Sequence, residues 1–255
     1  MYNDLFSIGG IEIKGYGLMI GIGMFASLYL AEQRAKKRNM NSDIIFSIFF
    51  TVVIFGFISA KLLYYITIFD KIMVNPSLLF DIGSGYVVYG GIIGGTLAGY
   101  IYCRKLKVDF LQYADIAMPS VFLAQGFGRI GCFLAGCCYG AETSSFFSIT
   151  FHNSSLAPNN VALIPTQIYS SLFDFAACAL LIYLASKQLR KGQVTCLYLI
   201  IYSIGRFIIE FFRGDLERGA VGSLSTSQFI SIFVLISGVI MYIYLKKKDS
   251  QTHKS

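Results

Sequence analysis

Long apolar runs recur along the whole chain and constrain its fold more than any other feature. They lie near residues 16–30, 44–65, 85–103, 110–135, 166–185, 195–212 and 227–245. A helix needs about 20 mainly apolar residues to cross the hydrocarbon core of a bilayer. Of the 255 residues, 55% are hydrophobic and 14% are charged, whereas soluble domains carry about a quarter charged residues. The sequence therefore predicts an all-α, polytopic membrane bundle of about seven transmembrane helices, formed by a single domain over residues 1–255.

The basic residues lie in short clusters between the apolar runs, so the net charge of +7 does not indicate nucleic-acid binding. Clusters follow the first, third, fifth and seventh runs: Arg34, Lys36, Lys37 and Arg38; Arg104, Lys105 and Lys107; Lys187, Arg190 and Lys191; Lys246, Lys247 and Lys248. Because Lys and Arg are enriched in cytoplasmic loops, we expect the N-terminus outside and the C-terminus in the cytoplasm. Residues 139–165, which contain neither, should form a polar exoplasmic segment.

Residues 126–140, at the end of the fourth run, combine an arginine, three cysteines and five glycines. A charged side chain at membrane depth costs roughly 2.5–3.5 kcal/mol even on the lenient insertion scales. Such charges are usually paired, line a wet cavity or hold a ligand. Arg129 has no acidic neighbour at helical spacing, and a cation near the lipid headgroups suits a phosphate. We therefore interpret Arg129 as a candidate anion-binding residue.

Other runs place polar residues at the same depth if the orientation is right. Arg206 and Glu210 are four residues apart in the sixth run, so they can form an ion pair on one helical face. That pair fits a structural role as well as a functional one. The further polar residues at this depth are Tyr16, Tyr89, Gln167 and Tyr169. The pattern predicts a polar site open to the outer leaflet, with Asp174 balancing one of the arginines and Asp115 structural near the cytoplasmic boundary.

Cys132, Cys137 and Cys138 are the clustered cysteines of the chain. Their Cys-x4-Cys-Cys spacing, without a second pair or a nearby histidine, matches no ordinary zinc pattern, so we expect no metal and no cofactor. Three interpretations stay open: plain packing, a disulfide or redox role at the outer face, and a direct catalytic role.

Five sequence motifs occur in one order along most of the chain. They are Gly-Tyr-Gly-Leu-Met at 15–19, Tyr-Gly-Gly-Ile-Ile-Gly at 89–94, Gly-Arg-Ile-Gly-Cys-Phe at 128–133 with Gly140, Pro-Thr-Gln-Ile-Tyr at 165–169, and the segment 202–213 around Gly-Arg-Phe-Ile-Ile-Glu. In this order they resemble the prolipoprotein diacylglyceryl transferase family. The resemblance implies an enzyme that transfers the diacylglyceryl group of phosphatidylglycerol to the lipobox cysteine of an exported prolipoprotein. It also implies a multi-pass protein of the bacterial plasma (inner) membrane, working in contact with the lipid bilayer.

The resemblance assigns roles to individual residues. Arg129 and Arg206 would bind the phosphate as charge builds on the leaving glycerol phosphate. Glu210 would orient Arg206 or accept hydrogen bonds from the lipid headgroup. Tyr89 and Cys132 are the further candidate catalytic residues. The residues expected to line the substrate pocket are Tyr16, Gly90, Gly91, Cys137, Gly140, Gln167 and Tyr169.

Three positions depart from the pattern of the family. Tyr89 stands where the family has a histidine, Cys132 where it has an asparagine, and Cys137 where it has a glutamate. An unperturbed phenol titrates near pH 10, and an imidazole near neutrality, so Tyr89 is a poor replacement for a base. Two alternatives to the family reaction therefore stay open: a related phospholipid-dependent transferase with a different acceptor, and a non-catalytic protein that binds or transports lipid.

Overall fold

The computed structural model describes residues 4–8, 11–81, 83–187, 189–215 and 219–252. Their α-helices are α1 (Gly15–Lys37), α2 (Ser42–Thr67), α3 (Phe69–Val74), α4 (Val88–Lys105), α5 (Phe110–Ala135), α6 (Thr166–Ser186), α7 (Gln193–Ile209) and α8 (Thr226–Thr252). Short antiparallel pairs are formed by β1 (Asp4–Ile8) with β2 (Ile11–Lys14), β3 (Ile149–Thr150) with β4 (Ala162–Leu163), and β5 (Ala220–Val221) with β6 (Leu224–Ser225). Single 3-10 turns span Pro76–Phe80 and Glu210–Phe212.

Six helical segments among the described residues are long and apolar enough to cross a membrane. They are Gly15–Lys37, Ser42–Thr67, Phe110–Ala135, Thr166–Ser186, Gln193–Phe212 and Thr226–Lys247. The predicted all-α polytopic membrane bundle is thereby confirmed. The third predicted run also forms a helix, α4, but its glycines, its tyrosines and the terminal Arg104 and Lys105 lower its mean hydropathy. The number of about seven spans and the orientation stay predictions.

The chain divides into two compact units, one of Met1–Ala31 with Ala114–Ser255 and the other of Glu32–Tyr113. In the second unit α2 packs against α4 through glycines. A Cβ atom on Gly90 would lie 2.6 Å from the Ser59 carbonyl oxygen, and one on Gly91 would lie 3.3 Å from the Gly56 carbonyl oxygen. The glycine stripe of α4 therefore serves close helix packing, as small residues commonly do in membrane proteins.

The loop before α4 is tied to α2 by Lys61. Its Nζ donates to the carbonyl oxygens of Asp81 and Ser84 and lies 5.0 Å from the ring centres of Tyr65 and Tyr86. Cations are attracted to the faces of aromatic rings, which adds to the two hydrogen bonds. This anchor sets the position at which α4 begins and hence the position of Tyr89 in its first turn.

The core of the first unit lies between α5, α6 and α7. Phe122 of α5, Leu181 of α6 and Val194 of α7 are almost completely buried there. Glycines again permit close helix contact, because a Cβ atom on Gly23 of α1 would lie 2.9 Å from the Cβ of Phe127 on α5. Gly238 of α8 packs in the same way against α7. These contacts align the ends of α1, α5, α6 and α7 around the residues of the predicted site.

The polar segment 139–165 has a small apolar core of its own. Phe151, Ala157 and Leu163 are buried in it, and Phe133 near the end of α5 packs against them. His152 is exposed and its Nδ1 lies 2.7 Å from Asn160 Oδ1, which agrees with its predicted surface position. The segment is therefore held onto the end of α5, while its exoplasmic location stays a prediction.

Asp115 of α5 binds the beginning of α7. Its carboxylate accepts hydrogen bonds from the backbone N–H of Gly192 at 2.6 Å and from the N–H and hydroxyl of Thr195 at 2.8 and 2.7 Å. The first N–H groups of a helix have no partner within the helix and attract a negative charge. Asp115 therefore has the structural role that the sequence predicts.

We expect Asp115→Ala to destabilise the protein by roughly 1.5–3 kcal/mol, because it leaves buried helix donors without their charged acceptor. The melting temperature in detergent, measured as the temperature at which the monodisperse chromatographic peak is lost, should fall by several degrees. The melting temperature of Asp115→Asn should lie between those of the wild type and Asp115→Ala. Asp70→Ala, at an exposed position, is the matched control. An Asp115→Ala protein as stable as the control would show that the cap contributes little.

Candidate active site

The cysteine segment turns back on α5 directly after that helix ends. Gly136 and Cys138 adopt left-handed backbone conformations with φ of +75° and +61°. The N–H of Cys137 donates to the carbonyl of Cys132 at 3.1 Å, which closes the end of the helix. A side chain at position 136 would be strained by its φ and would also meet Ser154. This turn brings the two later cysteines back beside the first.

The three cysteines form one cluster. Their sulfur atoms all lie within 4.8 Å of one another, and each residue is half-buried. The three are free thiols that hydrogen bond among themselves, and Cys137 Sγ also lies 3.6 Å from the carbonyl oxygen of Cys132. Hydrogen bonds from Cys132 and Cys137 lower the pKa of Cys138, and the guanidiniums of Arg213 and Arg129 lower it further. The structure describes the three cysteines as one hydrogen-bonded cluster without a disulfide, and their role stays a prediction.

The first turn of α6 holds this cluster in place. The Thr166 hydroxyl donates to the Cys138 carbonyl and the Gln167 Nε2 donates to the Cys137 carbonyl, each at 2.8 Å. Both side chains are almost completely buried. The Oε1 of Gln167 is buried without a hydrogen-bond partner among the described residues. Gln167, expected to line the pocket, is observed here to position the cysteines.

Arg206 and Glu210 form the ion pair that the sequence predicts. Arg206 Nη2 lies 2.9 Å from Glu210 Oε2, and both side chains are largely buried. The same nitrogen donates to the hydroxyl of Ser227 on α8 at 2.7 Å. The sequence offered no signal for Ser227, because its contact depends on how α8 packs on α7. One edge of the Arg206 guanidinium is therefore fixed by two different elements.

Arg129 differs from Arg206 in having no such partner. Its guanidinium forms no ion pair or side-chain hydrogen bond within the part of the chain that the structure describes, although its head is largely enclosed. Cys132, Cys138 and the buried Asp174 lie within electrostatic range of it. The structure brings Asp174 into the range of Arg129, while its balancing of that charge stays a prediction. An enclosed guanidinium whose N–H groups remain free is suited to bind an anion.

A third guanidinium completes the cationic group. Arg213 forms a bidentate pair with Asp215, with Nε–Oδ1 and Nη2–Oδ2 distances of 3.0 and 2.7 Å. Burial raises the pKa of Asp215, and the Arg213 guanidinium lowers it in part. Both Arg129 and Arg213 lie within electrostatic range of Arg206. The sequence offered no signal for the position of Arg213 near Arg206, because it depends on backbone pairing between Arg213 and Gly140.

Tyr16 lies at the beginning of α1, next to the cysteine cluster. Its ring and carbonyl face Gly131 of α5, where a Cβ atom would lie 3.2 Å from each. The three thiols and Arg129 are within electrostatic range of the phenol, and the residue is 44% exposed. The structure thus brings Tyr16 together with Arg129 and Cys132, as the sequence analysis expected.

Gly140 lies where three chain segments meet. Its N–H donates to the Ile164 carbonyl at 3.0 Å, and the N–H of Ala141 donates to the Phe212 carbonyl at 2.9 Å. A Cβ atom on Gly140 would lie 2.5 Å from the Ile164 oxygen and 2.8 Å from the Phe212 oxygen. Backbone therefore fills the space that the absent side chain leaves. It joins the cysteine segment to the residues before α6 and to the segment around Arg213.

The remaining predicted site residues are Tyr89, Gly90, Gly91 and Tyr169. Tyr89, Gly90 and Gly91 lie in α4 of the second compact unit, where the two glycines pack against α2. Tyr169 lies on α6, is 42% exposed, and its side chain forms no hydrogen bond or ring contact with the described residues. Their expected roles at the substrate stay predictions.

Comparison with known proteins identifies the family of the chain. The sequence model of the family described as prolipoprotein diacylglyceryl transferase matches residues 3–244. The chain belongs to this family. The motif segments, including the Arg129 and Arg206 segments that build the cationic group, all lie within the matched region.

Curated relatives of the transferase family cover nearly the whole chain. A phosphatidylglycerol–prolipoprotein diacylglyceryl transferase of Clostridium tetani is 50% identical over 238 residues, which are 93% of this chain and 95% of the relative. A protein named phosphatidylglycerol–prolipoprotein diacylglyceryl transferase 2 of Clostridium perfringens is 50% identical over 242 residues, 94% of each chain. A transferase of the same name from Staphylococcus carnosus is 34% identical, covering 95% of this chain and 90% of its own.

We expect Gly140→Ala to disrupt the junction beside the cysteine cluster. The added methyl group would meet backbone atoms that cannot rotate away, and such overpacking costs about 1–3 kcal/mol or more. Gly21→Ala is the matched control, because nothing lies within 4 Å of a Cβ atom there. Thermal unfolding in detergent should show a lower melting temperature for Gly140→Ala and an unchanged one for Gly21→Ala. Equal stability of the two variants would contradict the close approach.

Proposed function

We propose that the chain transfers the diacylglyceryl group of phosphatidylglycerol to the lipobox cysteine thiol of an exported prolipoprotein, at the outer face of the bacterial plasma membrane. The relatives named for this activity support the reaction, since they are up to 50% identical over nearly all of the chain. The single observation that carries the proposal is the largely enclosed Arg129 guanidinium, which has no ion-pair partner among the described residues and lies within electrostatic range of Arg206.

The reaction requires stabilisation of a leaving phosphate. The acceptor sulfur attacks the glycerol carbon, a C–S bond forms, and the C–O bond to the phosphate breaks with its electron pair on glycerol phosphate. Negative charge thus grows on the leaving group in the transition state. Fixed cations aimed at such a group lower the barrier because they need no reorganisation during the reaction. Arg129 supplies free N–H donors for this purpose.

Arg206 is suited to act as the second phosphate ligand. Its Nη2 is occupied by Glu210 and Ser227, and among the described residues no side chain accepts from its Nε or Nη1. Those N–H groups remain available for phosphate oxygens in the planar geometry that a guanidinium offers. Glu210 therefore orients Arg206 and compensates its charge while the site is empty.

Arg129→Ala should lower transfer activity by about 100-fold or more, as removal of one fixed donor to a developing anion commonly does. The measurement is lipid modification of a prolipoprotein in cells depleted of their own transferase, together with turnover by purified protein. Arg104→Ala, an exposed basic position at the end of α4, is the matched control. Membrane levels of both variants should equal those of the wild type.

The same assay separates the competing functions. Restoration of prolipoprotein modification by the wild-type chain, and not by Arg129→Ala, supports the proposal. Well-expressed wild-type protein that fails to modify prolipoprotein would contradict it. If that protein still releases glycerol phosphate from phosphatidylglycerol, a different acceptor is indicated. Binding of phosphatidylglycerol without any release would indicate a lipid-binding protein.

We expect Ser227→Ala to reduce activity by about 10-fold, less than Arg129→Ala, because it removes one charge-assisted hydrogen bond to Arg206 and leaves the Glu210 ion pair intact. Ser237→Ala, on the same helix, is the matched control. Turnover of purified protein against phosphatidylglycerol concentration provides the measurement. Unchanged turnover in Ser227→Ala would show that Glu210 alone is sufficient to orient Arg206.

A further inference from the structure

The reaction proposed above needs a thiolate, and the described residues offer no evident imidazole base for it. The chain has two histidines. His152 is exposed and bonded to Asn160, and His253 lies outside the described residues. Glu210, a carboxylate near the arginines, is engaged by Arg206. A thiol is a weak nucleophile until it loses its proton, so some other group must promote that step.

We propose that Cys132, Cys137 and Cys138 bind one Zn²⁺ ion and that its fourth coordination position takes the sulfur of the acceptor cysteine. The inference rests on the function proposed above for the choice of acceptor. The metal site itself rests on the geometry of the thiols. Although their spacing along the chain matches no ordinary zinc pattern, the left-handed turn at Gly136 and Cys138 brings all three sulfurs together.

The distances suit a tetrahedral metal. Zinc–sulfur bonds of about 2.3 Å place the sulfurs of a tetrahedral site about 3.8 Å apart. The three sulfurs already lie within 4.8 Å of one another, so closing onto an ion requires side-chain shifts of about 1 Å. Three protein ligands and one open position are the usual arrangement of a catalytic zinc site, whereas a structural site has four protein ligands.

The surroundings of the thiols position them as ligands. Thr166 and Gln167 hold the backbone carbonyls of Cys138 and Cys137, and both of these side chains are almost completely buried. Partners that orient the ligands in this way strengthen metal binding. The cluster is also accessible, because each cysteine is only half-buried.

The local charge favours a zinc–thiolate group. Binding releases three protons as three thiols and Zn²⁺ become a complex of charge −1, and an acceptor thiolate makes it −2. Arg129 and Arg213 both lie within electrostatic range of Cys138. Arg213 is shared with Asp215, whereas Arg129 has no ion-pair partner among the described residues, so Arg129 offsets part of this charge. A buried charge without such compensation would be costly.

The chemistry fits thiol alkylation. The acceptor thiol gives its proton to solvent when its sulfur binds the metal, since a coordinating thiol is deprotonated outright. The sulfur then attacks the glycerol carbon while glycerol phosphate leaves with the electron pair of the C–O bond. The thioether product carries no charge and is a poorer ligand, so it leaves the metal.

Metal content and spectroscopy test the site without any measurement of activity. The full chain, purified in detergent and dialysed against Zn²⁺, should hold about one zinc ion per molecule by mass spectrometry. Variants of the cluster, Cys132→Ser, Cys137→Ser and Cys138→Ser, should bind zinc at least about 10-fold more weakly. Cys103→Ala, a buried cysteine of the second compact unit, is the matched control and should retain the ion.

Co²⁺ added to the wild-type chain provides a second measurement that does not depend on any variant folding. Thiolate-to-cobalt absorption should appear, and it should shift on addition of a lipobox peptide with cysteine but not of the same peptide with serine. Absence of zinc and of cobalt–thiolate absorption in the wild type would overturn the proposal. Zinc content in all three serine variants equal to that of the wild type would overturn it too. A cobalt spectrum that does not change on addition of either peptide would overturn the assignment of the acceptor sulfur to the fourth coordination position.

These measurements distinguish failure of the proposed zinc site from failure of the proposed transferase function. If wild-type protein modifies prolipoprotein and holds no metal, the zinc site is wrong and the transferase function stands. If the cobalt spectrum responds to the cysteine peptide while cells show no lipid modification, the metal site stands and the transferase function is wrong.

Discussion

The cationic group at the ends of α5 and α7 is the constraint on which the rest of the site depends. Guanidiniums remain charged in an apolar surrounding, so each must be compensated or must hold an anion. Arg206 and Arg213 are compensated by Glu210 and Asp215. Arg129 faces the distant Asp174 only electrostatically. This imbalance makes Arg129 the guanidinium to which we assign the phosphate in the proposed reaction.

The backbone around the cysteines fixes their positions relative to the arginines. The chain leaves α5 through a left-handed glycine, passes the three thiols and meets two other segments at Gly140. Buried hydrogen bonds from Thr166 and Gln167 fix the turn to α6. The thiols and Arg129 thus lie within electrostatic range of each other. In the proposed reaction, an acceptor sulfur held at this cluster would therefore be close to the group that binds the leaving phosphate.

Apolar periodicity and basic clusters were enough to predict the helical membrane architecture, because the bilayer permits few solutions. Helical spacing was enough for the Arg206–Glu210 pair, since residues four apart share a face. Ser227 could not be predicted in this way, because its contact with Arg206 depends on how α8 packs on α7. Nor could the position of Arg213, which follows from backbone pairing with the segment around Gly140.

By itself the sequence determined the family, the membrane-spanning helices, the ion pair and the candidate phosphate ligand, because hydropathy and local spacing are properties of neighbouring residues. The tertiary structure alone decided what the cysteines can do. Their spacing argued against a metal, yet positive φ angles at Gly136 and Cys138 fold the chain back so that three sulfurs converge. Backbone direction at a turn is set by packing and long-range hydrogen bonds, which residue spacing does not reveal.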